Sequence, residues 1–432
     1  MIQTGAEMRD PIHGYIHLTD VEINIIDTPI FQRLRRIRQL AGAHLTYPGA
    51  QHSRFEHMVG CCHLAGLVSR TLKSITTFNE NDSQELRLAA LLHDVGHGPF
   101  SHIFEEVLVE KKGNTHEHMT QKIIMQTEIS DILERHGHEC SEMSKLSVAL
   151  SETKPQYVND AVGGGLSVDS MDYLLRDSYF TGVEYGKVDV HRLIESLEVV
   201  EDKLALDQAA LYAFEALAIA RYEMFRAVYF HRSVRAGEVM LIRAMKLADE
   251  ELGLSDTDDI GKYLELTDES VLLSLIRLES RGNKDLTLAR NLAIQYRDRK
   301  LMKCVFERLV QGKDRVFEHV FIHEKIRDQM ASEIAKSAGV DPESIYIDVS
   351  ATPSVPYTSK RQSLSSVTLV SKTFEGKTYE SRSIEEFPLL KEITGFMDIL
   401  RIYSQPEHRS RVEKAVKDFF DREDLITNKK SF

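Results

Sequence analysis

The sequence predicts a mainly helical protein with a smaller α+β lobe at its C-terminal end, and three features predict it. Residues 205–250, 258–280 and 284–310 carry apolar side chains at helical spacing, as in Leu211-Tyr212-Ala213-Phe214-Glu215-Ala216-Leu217-Ala218. An apolar run, Leu86 through Leu92, stops abruptly at His93-Asp94, and Gly96, Gly98 and Pro99 follow as residues that end a helix by a left-handed cap or a missing N–H. From about residue 312 the texture changes, and Ser344–Val349 and Ser366–Val370 read as strands around a Pro/Ser/Lys loop at 352–365. The 432 residues therefore divide into a helical body, 1–310, and an α+β lobe, 311–432.

In chain order, Asp10-Pro11-Ile12-His13-Gly14-Tyr15-Ile16 alternates and turns at Pro and Gly, which predicts a short strand or hairpin. Residues 20–40 read as helix, with Asp20 as N-cap and a break at Asp27-Thr28-Pro29. After the Tyr47-Pro48-Gly49-Ala50 turn, a helix from about Ser53 to Leu72 places His57, Cys61, Leu64 and Val68 on one inward stripe and His63 off it. Residues 117–150 read as two helices parted near Gly137, and Ala161–Gly165 as a loop before a helix from Val168 to Tyr179.

Composition excludes several classes. The chain has 42% hydrophobic and 28% charged residues, ordinary for a globular protein, and no apolar run approaches the ~18–20 residues of a membrane span. Net charge is −13, which disfavours nucleic acid as a partner; a local cluster, Arg33, Arg35, Arg36 and Arg38, leaves an anionic small substrate open. The first residues lack a secretory signal, and four cysteines make no disulfide framework, so the expected compartment is the cytoplasm.

Burial explains the leucines before His93-Asp94 but not the carboxylate, because an unpaired buried charge costs several kcal/mol. The dipeptide alone reads better as a helix cap. Eleven of the 18 histidines, however, lie before residue 119. On the helix from Val168, Asp169, Tyr173 and Asp177 fall at successive i, i+4 positions, an acid–phenol–acid stripe that suits either a site wall or a solvated face. His57, His93, Asp94 and Asp169 would supply two imidazoles and two carboxylates from three helices, a set that leaves positions open on a six-coordinate divalent ion.

The order of these residues, in Arg54-Phe55-Glu56-His57, His93-Asp94-Val95-Gly96-His97-Gly98-Pro99-Phe100-Ser101-His102 and Asp169-Ser170-Met171-Asp172-Tyr173, resembles the HD-domain phosphohydrolases. It resembles most closely their deoxynucleoside triphosphate triphosphohydrolase branch, as do DPIHGYI, FQRLRRIRQL and YLLRDSYFTGVEYG. The resemblance implies an HD-domain helical body and one divalent ion per site (Mg, Mn, Fe, Co, Ni or Zn) held by His57, His93, Asp94 and Asp169. It implies catalytic groups at His97, Glu105 and His116; phosphate contacts from Arg54, His102 and Tyr173; and a deoxyribose site near Gln39, Leu40, Tyr173 and Asp177. Asp27, Gln32 and Arg35 match positions that bind a regulatory nucleotide at a subunit interface, and a homo-oligomer, dimer or tetramer, is implied.

The expected reaction is metal-dependent hydrolysis of a deoxynucleoside triphosphate to deoxynucleoside and inorganic triphosphate. The alternatives are a phosphohydrolase of nucleoside monophosphates or other phosphoesters, and a nucleotide sensor with a vestigial site. Two departures bear on this choice: Ser170 stands where the family carries Lys or Arg, and Val228 where a second phosphate-binding arginine is expected, with Arg226, Arg232 or Arg235 as substitutes.

Overall fold

The computed structural model describes residues 5–311, 323–349, 367–372, 379–383, 386–393 and 397–420. The chain opens with the expected hairpin, β1 (Ala6–Asp10) and β2 (Gly14–Leu18). Asp10 closes its turn by accepting the backbone N–H groups of Ile12 and His13 at 2.9 and 2.8 Å. Helix α1 (Asp20–Ile26) is capped by Thr19 rather than Asp20, because Glu22 reaches back to the Thr19 N–H at 2.9 Å and completes a capping box. The predicted break holds: Thr28 caps α2 (Pro29–Gln32). The helix does not continue to residue 40. One 3₁₀ turn, Arg33–Arg36, leads into extended chain at Ile37, where Arg38 bridges to Ser53.

The centre of the body is α3 (Arg54–Ile75) packed on α4 (Glu80–Leu92). The stripe of α3 is buried as expected, and Leu86 and Leu88 through Leu92 are fully enclosed. The buried Glu22–Arg87 pair, with Nε–Oε1 2.7 Å and Nη2–Oε2 2.6 Å, ties α1 to α4. Then follow α5 (His102–Lys112), α6 (His116–Gln126), α7 (Glu128–Arg135), α8 (Cys140–Ser147), α9 (Gln156–Gly163) and α10 (Val168–Thr181). Residues 117–150 thus hold three helices, since Thr127 ends one and caps the next, and Ala161–Gly163 belongs to α9 rather than to a loop.

Beyond α11 (Val190–Glu195), the hairpin β3 (Leu197–Val200) and β4 (Lys203–Asp207) replaces the start of the predicted helix 205–250. The remainder is α12 (Leu211–Met224), a π-helical turn at Phe225–Tyr229, and α13 (Arg232–Leu252). Helices α14 (Ile260–Glu265), α15 (Asp268–Ile276) and α16 (Lys284–Arg297) complete the body. Residues 303–310, read as the end of the helix 284–310, instead belong to strand β5 (Lys303–Gln311), which pairs antiparallel with β9 (Met397–Ser404); β6 (Ile345–Val349) pairs with the other edge of β9. Helices Glu324–Ala338 and Arg409–Phe420 pack on this sheet around Ile334, Ile347, Ile402 and Val412. In a second sheet, β4 pairs in parallel with β7 (Thr368–Lys372), which pairs with β8 (Tyr379–Ser383), so residues on both sides of position 310 share one sheet. The expected loop at 352–365 lies outside the described residues. The protein is mainly helical, with the small C-terminal sheets that the sequence predicts. No helix among the described residues is long and apolar enough to cross a membrane.

Candidate metal centre and active site

Three helix ends deliver the centre. Ser53 and Glu56 form a capping box that starts α3, which places Arg54 in its first turn and His57 one turn inward. The end of α4 presents His93 and Asp94, and Ser167 caps the start of α10, which presents Asp169. All four predicted ligands meet. His57 Nε2 lies 3.2 Å from Asp169 Oδ1 and 3.9 Å from Asp94 Oδ2; His93 Nε2 lies 3.4 Å from Asp94 Oδ2 and 3.8 Å from Asp169 Oδ1.

The tautomers are settled by what the other ring nitrogens do. His57 Nδ1 donates to Asp172 Oδ2 at 2.8 Å and His93 Nδ1 to the Ala90 carbonyl at 2.8 Å, so each Nε2 lone pair turns inward. His93 Nε2 is buried without a hydrogen-bond partner. For both rings burial pulls the pKa down, yet the facing carboxylates push it up overall, that of His93 far up. The cluster therefore wants positive charge, and these residues could hold a divalent cation. Cys61 Sγ lies in the same cluster, where burial, reinforced by Asp172 and Asp169, pushes its thiol well above the ordinary range.

The sequence reading missed the groups behind His57. Asp172 also accepts from His13 Nε2 at 2.7 Å and from Arg176 Nε and Nη2, both at 2.8 Å, and Arg176 Nη1 reaches Asp10 at 2.8 Å. The available signal was the Asp172/Arg176 i, i+4 pair. Gly60 makes room for this network: a Cβ there would lie 2.0 Å from Asp172 Oδ1. Asp172→Asn, which keeps the shape but loses the acceptor charge behind the His57 imidazole, should weaken metal affinity by ~10–100-fold in a chelator-competition titration.

The loop after Asp94 carries the second group of side chains. Neither Gly96 nor Gly98 is left-handed; the positive φ values belong to Phe100 (58°) and Ser101 (56°), a strained conformation for residues with a side chain. Asp268 at the start of α15 holds the strain by accepting from the Phe100 N–H at 2.6 Å and the Arg38 N–H at 3.1 Å. Burial pushes Asp268 up to about 6. Arg33, from the predicted basic cluster, is buried and structural, donating to the His97 carbonyl at 2.9 Å. Gly96 is needed for close approach, since a Cβ would lie 2.2 Å from the Thr120 nitrogen and 2.3 Å from the His116 carbonyl oxygen. Gly96→Ala should push α6 and His116 away, so that kcat falls while the chain stays helical by circular dichroism.

His97, Glu105 and His116 are brought together beside Asp94. His97 stacks on His116 with ring centroids 4.1 Å apart, and His116 Nδ1 donates to Glu105 Oε1 at 3.0 Å. Asp94 Oδ1 lies 3.4 Å from His97 Nε2 and 3.9 Å from His116 Nε2. The two imidazoles are driven apart in basicity. Burial pulls His116 down, but Glu105 outweighs it and holds the group up at about 9; burial, then Arg54 and His116, drives His97 well below its usual value. Such divergence separates an acid from a neutral ring in one site. Arg54, buried, ion-pairs with Asp94 and donates to Ser101 Oγ at 2.9 Å and His102 Nε2 at 2.7 Å. Burial, then Arg54, pulls His102 down to about 4.

Gln39, Leu40, Ser101 and His102 line a partly open pocket. Tyr173 is buried edge-on to Tyr229, whose hydroxyl donates to Asp177 Oδ2 at 2.7 Å; Asp177 Oδ1 is taken by His52 Nε2 at 2.8 Å. Both Asp177 oxygens thus already have protein partners. Ser170 is buried and bonds the Ser167 carbonyl, and Val228 is buried in the π turn and lines the pocket. Of the possible substitutes, Arg226 is exposed and lies over the Tyr222 ring, Arg232 is exposed, and Arg235 is bound to Asp348 and Glu238. A cation that the sequence reading overlooked, Arg221 of α12, is buried and interacts electrostatically with Tyr173. Asp27 and Arg35 are surface residues; Gln32 is half-buried and accepts from Arg35 Nε at 2.8 Å.

A helical scaffold that gathers two imidazoles and two carboxylates beside a buried arginine defines a hydrolase centre for phosphoesters. The chain belongs to the HD-domain family of metal-dependent phosphohydrolases: residues 54–174 match the HD domain and residues 188–431 the HD associated region. Among its relatives, the uncharacterized protein YwfO of Bacillus subtilis is 31% identical over 81% of this chain and 80% of that protein. A Dictyostelium discoideum protein named as a deoxynucleoside triphosphate triphosphohydrolase, a SAMHD1 homolog, is 31% identical over 76% of this chain but only 64% of its own length. The crystal structure of a hypothetical protein from Aquifex aeolicus superposes with a TM-score of 0.75 at 28% identity, covering 95% of this chain and 99% of that one.

Proposed function

We propose that this chain hydrolyses deoxynucleoside triphosphates to deoxynucleoside and inorganic triphosphate. The observation that carries the reading is the continuity of the His57–His93–Asp94–Asp169 cluster, through Arg54 and His102, with a pocket lined by Gln39 and Leu40. The Dictyostelium relative's name supports it. A divalent ion on those four residues would supply Lewis-acid activation of a phosphate oxygen and of a water. Arg54 and His102 meet the phosphates, and Arg221 beside Tyr173 offers the charge that Ser170 and Val228 do not. His116, oriented by Glu105, hands a proton to the leaving oxygen, while His97 packs against it and keeps the ring in place. Leu40 and Tyr173 restrict the sugar end to deoxyribose.

Asp27, Gln32 and Arg35 form a surface for a regulatory nucleotide in a homo-oligomer, dimer or tetramer. The four cysteines are unpaired, in keeping with a cytoplasmic protein. Chromatography of products after incubation of each deoxynucleoside triphosphate with Mg²⁺, Mn²⁺ or Co²⁺ tests the reaction. Inorganic triphosphate is expected. Phosphate release from monophosphates alone would favour the broader phosphoesterase reading that Ser170 and Val228 keep open.

A further inference from the structure

The C-terminal sheet reaches the pocket through strand β6. Successive side chains of a strand point to opposite faces, so Ile345 and Ile347 lie in the core that the sheet forms with its own helices, while Tyr346 packs against the helical body. Asp348 shares the face of Tyr346. There it meets Arg235 of α13, whose Nε and Nη2 fork onto its two oxygens at 3.1 and 2.7 Å. A bidentate, charge-assisted fork fixes orientation as well as distance. Arg235 Nη1 donates to Glu238 Oε2 at 2.9 Å, and Nη2 lies 4.0 Å from Glu106 Oε1. Asp348, Arg235 and Glu238 are all buried. Arg235 and Glu238 line the pocket beside Leu40 and His102. Glu106 stands one turn along α5 from His102 and directly follows Glu105, the partner of His116. One guanidinium thus ties together β6, the pocket wall on α13, and the helix that presents His102 and Glu105.

We propose that Asp348 is a positioning residue for the active site: by fixing Arg235 it makes the C-terminal sheet part of what shapes the substrate pocket. The proposal rests on the hydrolase reading above and adds a residue on which that site depends. Asp348 does not itself line the pocket and acts through Arg235, which does. The same sheet also touches α13 at a place remote from the pocket lining. There the Tyr403 hydroxyl donates to the Arg232 carbonyl at 3.1 Å, and Arg232 does not line the pocket. Asp348→Asn keeps the side-chain shape, and the cluster tolerates the loss of one negative charge. Burial pushes Glu106 and Glu238 up against the pull of Arg235, and Asp348 adds to that rise.

The test uses Asp348→Asn, Arg235→Lys, which keeps the charge but loses the fork, and Tyr403→Phe, which cuts only the second contact. Asp348→Asn and Arg235→Lys should each raise KM for deoxynucleoside triphosphates about tenfold and change kcat by less than about twofold, the pattern of a lost binding contact. The double variant should be no worse than either single one, because both act on one interaction. Amide hydrogen exchange without nucleotide should quicken in α5 in both single variants. Tyr403→Phe should lower Tm yet leave KM and α5 exchange at their wild-type values. If Asp348→Asn folds poorly, Arg235→Lys carries the same test. Wild-type KM and wild-type α5 exchange in Asp348→Asn, or a profile matching Tyr403→Phe, overturn the proposal while hydrolysis stands. Faster α5 exchange in Asp348→Asn, in a protein whose wild type hydrolyses no deoxynucleotide, supports the tie and overturns the hydrolase reading instead.

Discussion

Asp94→Ala is expected to abolish hydrolysis and to strip bound divalent metal from the protein while its helical circular dichroism stays unchanged. Asp94 is the residue on which both halves of the centre converge: Oδ2 faces His93 and His57, and Oδ1 faces His97 and His116. Without it four imidazoles lose a carboxylate neighbour, and Arg54 loses its ion pair in a buried setting. The fold should survive because the apolar run of α4, Leu86 through Leu92, is buried independently of the polar end that follows it. Elemental analysis and product assay together decide the matter. Full activity, or an unchanged metal content, would show that the centre lies elsewhere. Treatment of the wild type with a chelator should reproduce the loss, and return of a divalent ion should reverse it.

His116→Ala should lower kcat by ~10²–10⁴, the usual worth of general acid help, and should leave the metal in place. The imidazole is held protonated up to about pH 9 because Glu105 outweighs burial, so the acid form is present at neutral pH and lost as pH rises through that value. The wild-type rate should therefore fall on an alkaline limb near pH 9 that His116→Ala lacks. Glu105→Gln, which removes the group that raises His116, should move the limb to lower pH. Loss of metal together with activity in His116→Ala would make His116 a ligand and overturn its assignment as proton donor.

How much of the centre was legible before folding varies by residue. His93-Asp94 announced itself by closing an apolar run, and His57 by its place on the buried stripe of α3, since both departures interrupt a local periodicity. Asp172 did not. Its i, i+4 arginine is the one local signal it carries, and only packing of α10 against α3 and the hairpin brings it to His57 and His13. Asp268 and Arg33 were illegible for the same reason: their partners, Phe100 and His97, are 168 and 64 residues away.

The sequence by itself determined that the protein is mainly helical and where most helices of the body run, because apolar spacing and caps act over one or two turns, and its motifs carried the resemblance to the HD-domain phosphohydrolases. Tertiary structure alone decided the rest. Residues 303–310 carry a helical pattern but become part of a strand, since β9 offers a ladder of hydrogen-bond partners interrupted only by an irregularity between Cys304 and Phe306. The π turn at Phe225–Tyr229 interrupts a pattern that reads as continuous helix, and it brings the Tyr229 hydroxyl to Asp177. The charged end of the pocket needs Asp348, 113 residues from Arg235, to complete it. Local periodicity cannot encode such contacts, because each depends on which surface the finished core presents to a distant segment.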